Sequence, residues 1–451
     1  MGTRVPCSFL AALVLICSQN WVAADHPNSP TQPRFVAPSG LTVTNGRLFF
    51  SAFQPATGYE LWVSDGTSEG TREVKDIRVG SRGSYPATLT SFKGRVYFAA
   101  DDGVSGIELW SSDGTAAQTS LVGDIHPGSG ASLPNSLTVV GDDLYFVADD
   151  GRRGHELWHI DGSSQAATLV ADLYPGPMGS TPRHLTTSDG RLFFIVSNSD
   201  ANTEVWVVDG TRAQRVTNLA DATVQAMLAF DAGVLLTVHD SHGVELWRID
   251  AKGRAQRVKD IRVGEQSSQP RYLTRLGKHV YFQANDGTRG HELWKTDGTS
   301  EGTRLVKDIR PGPEGSLPSH LAVVDDRLFF SAMDEQHGTE LWSSDGTEQG
   351  TRMHAEINPG RDSASPGQLT AIGDALYFAA GTRSHGWEVW RVDPGEQAAS
   401  MVADIRPGKD SSYPHLFASF REHIVFVGDD DQGQARLWSL DRRTQQMRAV
   451  D

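Results

Sequence analysis

The sequence has almost no cysteine: two in 451 residues, Cys7 and Cys17. A chain cleaved after Ala24 would have none, which excludes a disulfide framework. Positive charge is also short, with 41 Lys+Arg against 56 Asp+Glu and a net charge of −15. Nucleic acid and anionic membrane are poor partners for such a surface. Beyond the first residues there is no long apolar run, so no later segment reads as a membrane-spanning helix, and there is no Asn-x-Ser/Thr sequon.

The N-terminal residues read as an export signal. Arg4 precedes the apolar run 9–16, and Val22-Ala23-Ala24 offers a small-residue cleavage site; this is the layout of a secretory signal peptide, too short to cross a bilayer. Cys17 is disfavoured as a lipid-bearing residue because bulky Ile16 precedes it. The expected organisation is a signal peptide over 1–24, a linker over 25–36 and a repeat body over 37–451. Removing 1–24 takes one residue from the 41 Lys+Arg and none from the 56 acids, for a net charge of −16. The product is expected to be secreted or periplasmic, as in an exported bacterial protein, with no membrane insertion after cleavage.

What the chain does have is repetition. Trp62, Trp110, Trp158, Trp206, Trp247, Trp294, Trp342, Trp390 and Trp438 follow at intervals of 48, 48, 48, 41, 47, 48, 48 and 48. Around them Glu-Leu-Trp-x-x-Asp-Gly-Thr recurs at 60–67, 108–115, 292–299 and 340–347, with Val for Leu at 205 and Ser for Thr at 163. A period in the forties with Gly-rich punctuation signals a propeller or a related array. In the copy at 318–365, turn residues separate four short runs, 321–324, 327–332, 339–344 and 353–357, and Asp345-Gly346 is a hairpin signal. Each repeat therefore reads as a four-stranded antiparallel meander.

Leu and Trp are neighbours in the third run, so on a strand they point to opposite faces, and both faces must be buried. Sheets stacked face to face around an axis meet that demand. The expected fold is all-β, a β-propeller of nine four-stranded antiparallel blades, with an eight-bladed ring or two smaller propellers as alternatives. Leu41 precedes Trp62 by the same 21 residues that separate Leu89 from Trp110, and Asp451 takes the place of Asp76, Asp124 and Asp308. The ring is thus expected to close without a borrowed strand.

The stretch ELWKTDGTSEGTRLVKDIRPGPEGSLP at 292–318 resembles the bacterial secreted proteins of the ELWxxDGT-repeat family, and the resemblance extends over nearly all of the chain after residue 24. It implies export and a repeated β architecture; it brings no agreed activity and no catalytic residues.

One copy contains His155-Glu156-Leu157-Trp158-His159, formally the H-E-x-x-H of a zinc protease. That chemistry needs both histidines on one helical turn. On a strand, residues i and i+4 share a face but stand roughly 13 Å apart. The place of His159 is filled elsewhere by Val63, Ser111, Val207, Arg248, Lys295, Ser343 and Arg391, so the protease reading fails.

The 2–3 and 4–1 loops should form one rim and the 1–2 and 3–4 turns the other. Acids ending the fourth run, Asp76, Asp124, Asp172, Asp260, Asp308, Glu356 and Asp404, should ring the first rim. Two readings stand: calcium held by carboxylates and carbonyls, with Asp76, Asp124, Asp172, Asp260, Asp308 and Asp404 as ligands, or acids bracing turn amides, which repetition favours. His155, His242, His291, His337 and His385, with His126, His184, His320 and His415, gather on the same rim; spread around a ring, most cannot meet one ion. The 41-residue interval, where Ala220 to Gln225 replace the usual crossover, reads as a groove, drift or the seam of the ring.

The function expected is a secreted, non-enzymatic binding scaffold for protein or glycan, working as a monomer through the loop-rich rim. The alternatives are a glycan hydrolase or lyase using paired carboxylates, or a calcium-dependent structural surface or matrix protein. No catalytic residue and no cofactor beyond calcium is indicated.

Overall fold

The computed structural model describes residues 34–163, 166–197, 203–210, 212–393 and 395–450. The expected signal peptide and all of the linker before Arg34 lie outside them. Phe35, from the stretch read as linker, is buried against Phe50 and Trp62, and the first strand begins at Val36.

The blade whose runs were read at 318–365 shows how the sequence makes the sheet. Its strands are Ser319–Val324, Arg327–Asp334, Gly338–Ser344 and Arg352–Ala355, hydrogen-bonded in chain order and all antiparallel. The fourth strand stops at Ala355, and Ile357, expected inside it, lies in the chain that leaves the blade and is buried in the joint with the next one. Leu341 packs toward the next blade with Leu376 and Phe378, whereas Trp342 packs toward the preceding one with Tyr281 and Leu293. Adjacent residues thus fill two different interfaces, as the burial of both demanded.

Among the described residues, thirty-six strands make nine such sheets, with one short 3₁₀ turn at Ala116–Gln118 and no α-helix. Each of nine apolar clusters joins two consecutive blades, including the ninth to the first through Phe35, Trp62, Phe420 and Leu437. The protein is a nine-bladed β-propeller, neither an eight-bladed ring nor a pair of smaller ones.

The ring closes without strand exchange. Val36–Thr44 pairs within the first blade and Met447–Ala449 within the ninth. Between these blades Arg421 donates to the carbonyls of Asp65 and Gly46, and Arg448 to that of Gly66. The 41-residue interval is therefore not the seam. There Arg212–Leu219 passes through a tight turn into Thr223–Phe230, and blades four and five share a continuous core. First strands of neighbouring blades pack beside one another, which puts them at the narrow centre, with the Trp-bearing third strands farther out.

Candidate functional site

The richer rim is organised by a residue the sequence hid inside a motif. Glu292, the Glu of Glu-Leu-Trp, lies two residues from Trp294 and so shares its face, which buries it completely. Its Oε2 accepts from the Ile309 amide (3.2 Å) and Ser316 Oγ (2.5 Å), and its Oε1 from the amides of Arg310 (3.0 Å) and Ser316 (2.9 Å). One side chain thereby fixes the crossover 308–316 that carries the chain into the next blade. Gly315 is needed here: its φ is +67°, and a Cβ would overlap the backbone of His291.

The same clasp recurs at Glu60, Glu108, Glu156, Glu245, Glu340 and Glu388. Burial pushes Glu60, Glu292 and Glu340 up to about 7, against hydrogen bonds that pull the other way. The blade before the 41-residue interval differs. Burial works to raise Glu204, but hydrogen bonds from Tyr174 (2.6 Å), Trp206 (2.9 Å) and Arg215 (2.9 Å) bring it below the usual carboxylate range. In the ninth blade Arg436 takes the place of the Glu.

Against this frame, His155–Asp161 is a strand, as read. Glu156 is the clasp of its own blade, accepting from the Leu173 and Ser180 amides, and His159 stacks on Tyr145 at 5.7 Å. The acids fall one each in blades one, two, three, five, six and eight, with Glu356 in the seventh. Asp76, Asp124 and Asp260 each accept the amide of the glycine four residues on, at 3.2–3.4 Å, and Glu356 does likewise at 3.0 Å. Arg153 and Arg289 reach Asp172 and Asp308. The other oxygen, Oδ1, of Asp76, Asp172, Asp260, Asp308 and Asp404 is buried without a hydrogen-bond partner.

The histidines are also dispersed. His337 pairs with Asp334 (2.8 Å), His242 with Asp240 (3.5 Å), His385 bonds Ser384 (2.8 Å) and His415 the Tyr413 carbonyl (2.9 Å). Among the described residues no three His, Cys, Asp or Glu side chains come together as a metal site.

What the sequence did not show is the backbone at the inner edge of this rim. Tyr85, Leu133, Thr181, Gln269, Leu317, Ser365 and Tyr413, each directly before a proline, all have φ between +46° and +54°. Three residues later the first strand bulges, and Thr88, Ser136, His184, Tyr272, His320, Gln368 and Leu416 have φ between +54° and +58°. A left-handed non-glycine residue costs about 1–2 kcal/mol, and the pre-proline position disfavours such geometry further. The clasped crossovers sustain it. The consequence is exposure: Tyr85 and Tyr413 stand 53% and 58% accessible between buried Ser and Pro neighbours, and Leu133, Tyr272, Leu317 and Leu416 are exposed as well. A hollow of about 410 Å³, walled by Tyr174, Pro175, Pro177 and Met178, opens on the same rim.

No family model matches the chain, and no curated protein does. Solved structures show similarity at low identity. A computationally designed protein, Ika8, aligns with 90% of this chain and 96% of its own at 16% identity and a TM-score of 0.41. A prolyl endopeptidase aligns at 14% identity and 0.42, and a puromycin hydrolase at 13% and 0.40. The chain spans 53% and 58% of the length of these two enzymes.

Proposed function

We propose that this propeller is a secreted, non-enzymatic scaffold that binds a protein or a glycan on the rim of 2–3 loops and 4–1 crossovers. The observation that carries the reading is the ring of left-handed, outward-held residues. Backbone strain repeated at one edge, with Tyr and Leu side chains lifted into solvent between buried neighbours, is what a pre-ordered contact surface requires. Tyr413, Tyr85 and Leu133 enter blades nine, two and three and present exposed apolar surface suited to sugar faces or peptide side chains. The clasp glutamates, whose raised pKa values would suit general acids, lie beneath the crossovers with their oxygens taken by amides and hydroxyls. That arrangement supports binding over glycan hydrolysis or elimination. Export through residues 1–24, membership of the ELWxxDGT-repeat proteins and a monomeric state belong to the same proposal.

The test is a glycan array and an immobilised peptide library probed with the wild-type chain and with Tyr85→Ser/Tyr413→Ser. Hits should weaken by about tenfold or more in the variant, the usual scale for losing exposed aromatic anchors, while the melting temperature holds. An absence of hits, or hits indifferent to the substitutions, would sink the reading; cleavage of a bound glycan would favour the hydrolase or lyase alternative.

A second reading, calcium at Asp76, Asp124, Asp172, Asp260, Asp308 and Asp404, is favoured by the unpartnered Oδ1 atoms of five of them. Carbonyl and water oxygens would have to complete each coordination shell. Ions bound in several blades stabilise the folded chain by mass action, so millimolar calcium should then raise the melting temperature by many degrees over EDTA. Equal melting in both would leave these acids as turn braces.

A further inference from the structure

The opposite rim, made of 1–2 and 3–4 turns, is capped by an aromatic ring at four joints. An aromatic ring of one blade covers the glycine of the next blade's Asp-Gly turn: Phe420 on Gly66, Phe49 on Gly114, Phe230 on Gly298 and Tyr281 on Gly346. Cations staple the same gaps, with Arg47 donating to the Asp113 carbonyl (2.7 Å) and Lys295 to that of Gly346 (2.6 Å).

Between blades seven and eight this closure fails. Ser343 stands where Lys295 stands in the preceding blade, and Arg327, the counterpart of Arg47, bonds Ser343 within its own blade at 3.3 Å. In the sequence of the eighth blade Pro394 stands where other blades have Gly66, Gly114, Gly298 and Gly346, and Gly395, one residue farther on, has nothing within 4 Å of its Cβ position. A cleft of about 380 Å³ results, with Phe329, Leu376 and Val392 on its walls and Asp325, Asp326 and Asp374 at its mouth.

One residue makes the cleft more than a gap. The strand-four position after the partner of each Trp is Val74, Val122, Val170, Val216, Val258, Val306, Val402 and Val450 in eight blades; in the seventh it is His354. His354 is 9% exposed, stands edge-on to Phe329 at 5.0 Å, lines the cleft, and its Nε2 has no hydrogen-bond partner. An imidazole that replaces a core valine and leaves a ring nitrogen unsatisfied is costly unless that nitrogen is used. Burial first, then Arg327 and Arg352, lower His354 to about 4, so the ring is neutral near pH 7, and the tautomer protonated on Nδ1 leaves Nε2 to accept.

The charges around it are uneven. Asp325, Asp326, Asp345, Asp374, Asp393 and Glu396 line the cleft with Arg327; Arg391 pairs with Asp393, and Arg352, which donates to the neutral Gln397 at 2.7 Å, keeps its charge near His354, so acids still outnumber cations around the cleft. The comparable cleft between blades four and five, about 240 Å³, has Val216 on its wall and Arg191, Arg215 and Lys252 beside Asp209 and Asp250. Acidic lining and a buried acceptor therefore coincide at one joint.

We propose that the cleft between blades seven and eight binds a small organic cation, a primary amine on an apolar body, with the ammonium bonded to His354 Nε2 and balanced by Asp325, Asp326 and Asp374. The apolar body lies along Phe329, Leu376 and Val392. This site is separate from the loop-rich rim and does not depend on what that rim binds.

The probes are 2-phenylethylammonium and its neutral counterpart 2-phenylethanol, titrated into the full chain by calorimetry and by ligand-observed NMR. The amine should bind saturably and at least about tenfold tighter than the alcohol, and His354→Val or Asp325→Asn/Asp326→Asn should each weaken it by about tenfold, the scale of one charge-assisted hydrogen bond. His354→Val restores the residue the other blades use, so its melting temperature should stay at or above wild type. No saturable binding of the amine, equal binding of the alcohol, or an amine affinity unchanged by His354→Val would each overturn the assignment.

Discussion

Glu292→Ala is expected to destabilise the propeller by about 3–5 kcal/mol, near the upper end of single-residue effects. Three amides and one hydroxyl converge on this carboxylate, and truncation leaves them buried without an acceptor. Glu292→Gln, which keeps one oxygen, should cost about half as much. Urea unfolding midpoints with amide exchange across 308–316 would check both; wild-type exchange in that crossover of the Ala variant would show that the loop holds itself. The pH dependence has a definite sign. With Glu292 raised from its ordinary 4.5 to about 7 in the fold, the native state holds more protons between those values, so its contribution is full below about 4.5 and is lost as pH rises through about 7. Ser316 Oγ, 2.5 Å from Oε2, can accept the acid's proton. The gap between wild type and Glu292→Ala should accordingly narrow from pH 5 to pH 8.

Trp62→Ala should cost a similar amount, about 3–5 kcal/mol, but with a different spatial signature. The ring is 2% exposed and packs on Phe35 at 4.9 Å and Phe50 at 6.5 Å in the cluster that joins blades nine and one. Eight joints are crossed by the chain itself; this one is held by side chains and by the hydrogen bonds of Arg421 and Arg448. Truncation here should therefore raise amide exchange in Val36–Thr44 and His415–Phe420 together. Trp342→Ala, at a joint the chain crosses, should lower stability without that paired signature. Equal exchange patterns in the two variants would mean that the closure is no weaker than any other joint.

The blades were legible because Trp spacing and the Leu-Trp pair report strand number and two-sided burial directly. Turn bracing by Asp76, Asp124, Asp260 and Glu356 was legible for a similar reason: an acid four residues before a turn glycine is placed to accept its amide. Glu292 and its equivalents were not, since glutamate on a strand ordinarily means a solvent face. The signal was present, because a Glu two residues from a buried Trp has to share its burial. His354 was legible only by position, since its place in strand four holds valine in the other eight blades. The left-handed residues could not be read at all. Nothing in Tyr85 or Leu317 favours positive φ, and the prolines after them argue against it; tertiary contacts overrule both.

Closure without a shared strand leaves the protein with no register that distinguishes a last blade from a middle one. Each of the nine joints is the same kind of contact, sheet face on sheet face. The count must then be set by taper, since nine blades stand about 40° apart, a shallower wedge than a smaller propeller needs. Bulk on the outer third strands, as at Trp62 and Trp342, and slighter residues on the first strands, as at Val43 and Ala322, provide that wedge. Ring size is in this sense an angle summed over side-chain volumes, and adding or deleting a whole repeat would require every joint to narrow or widen to match.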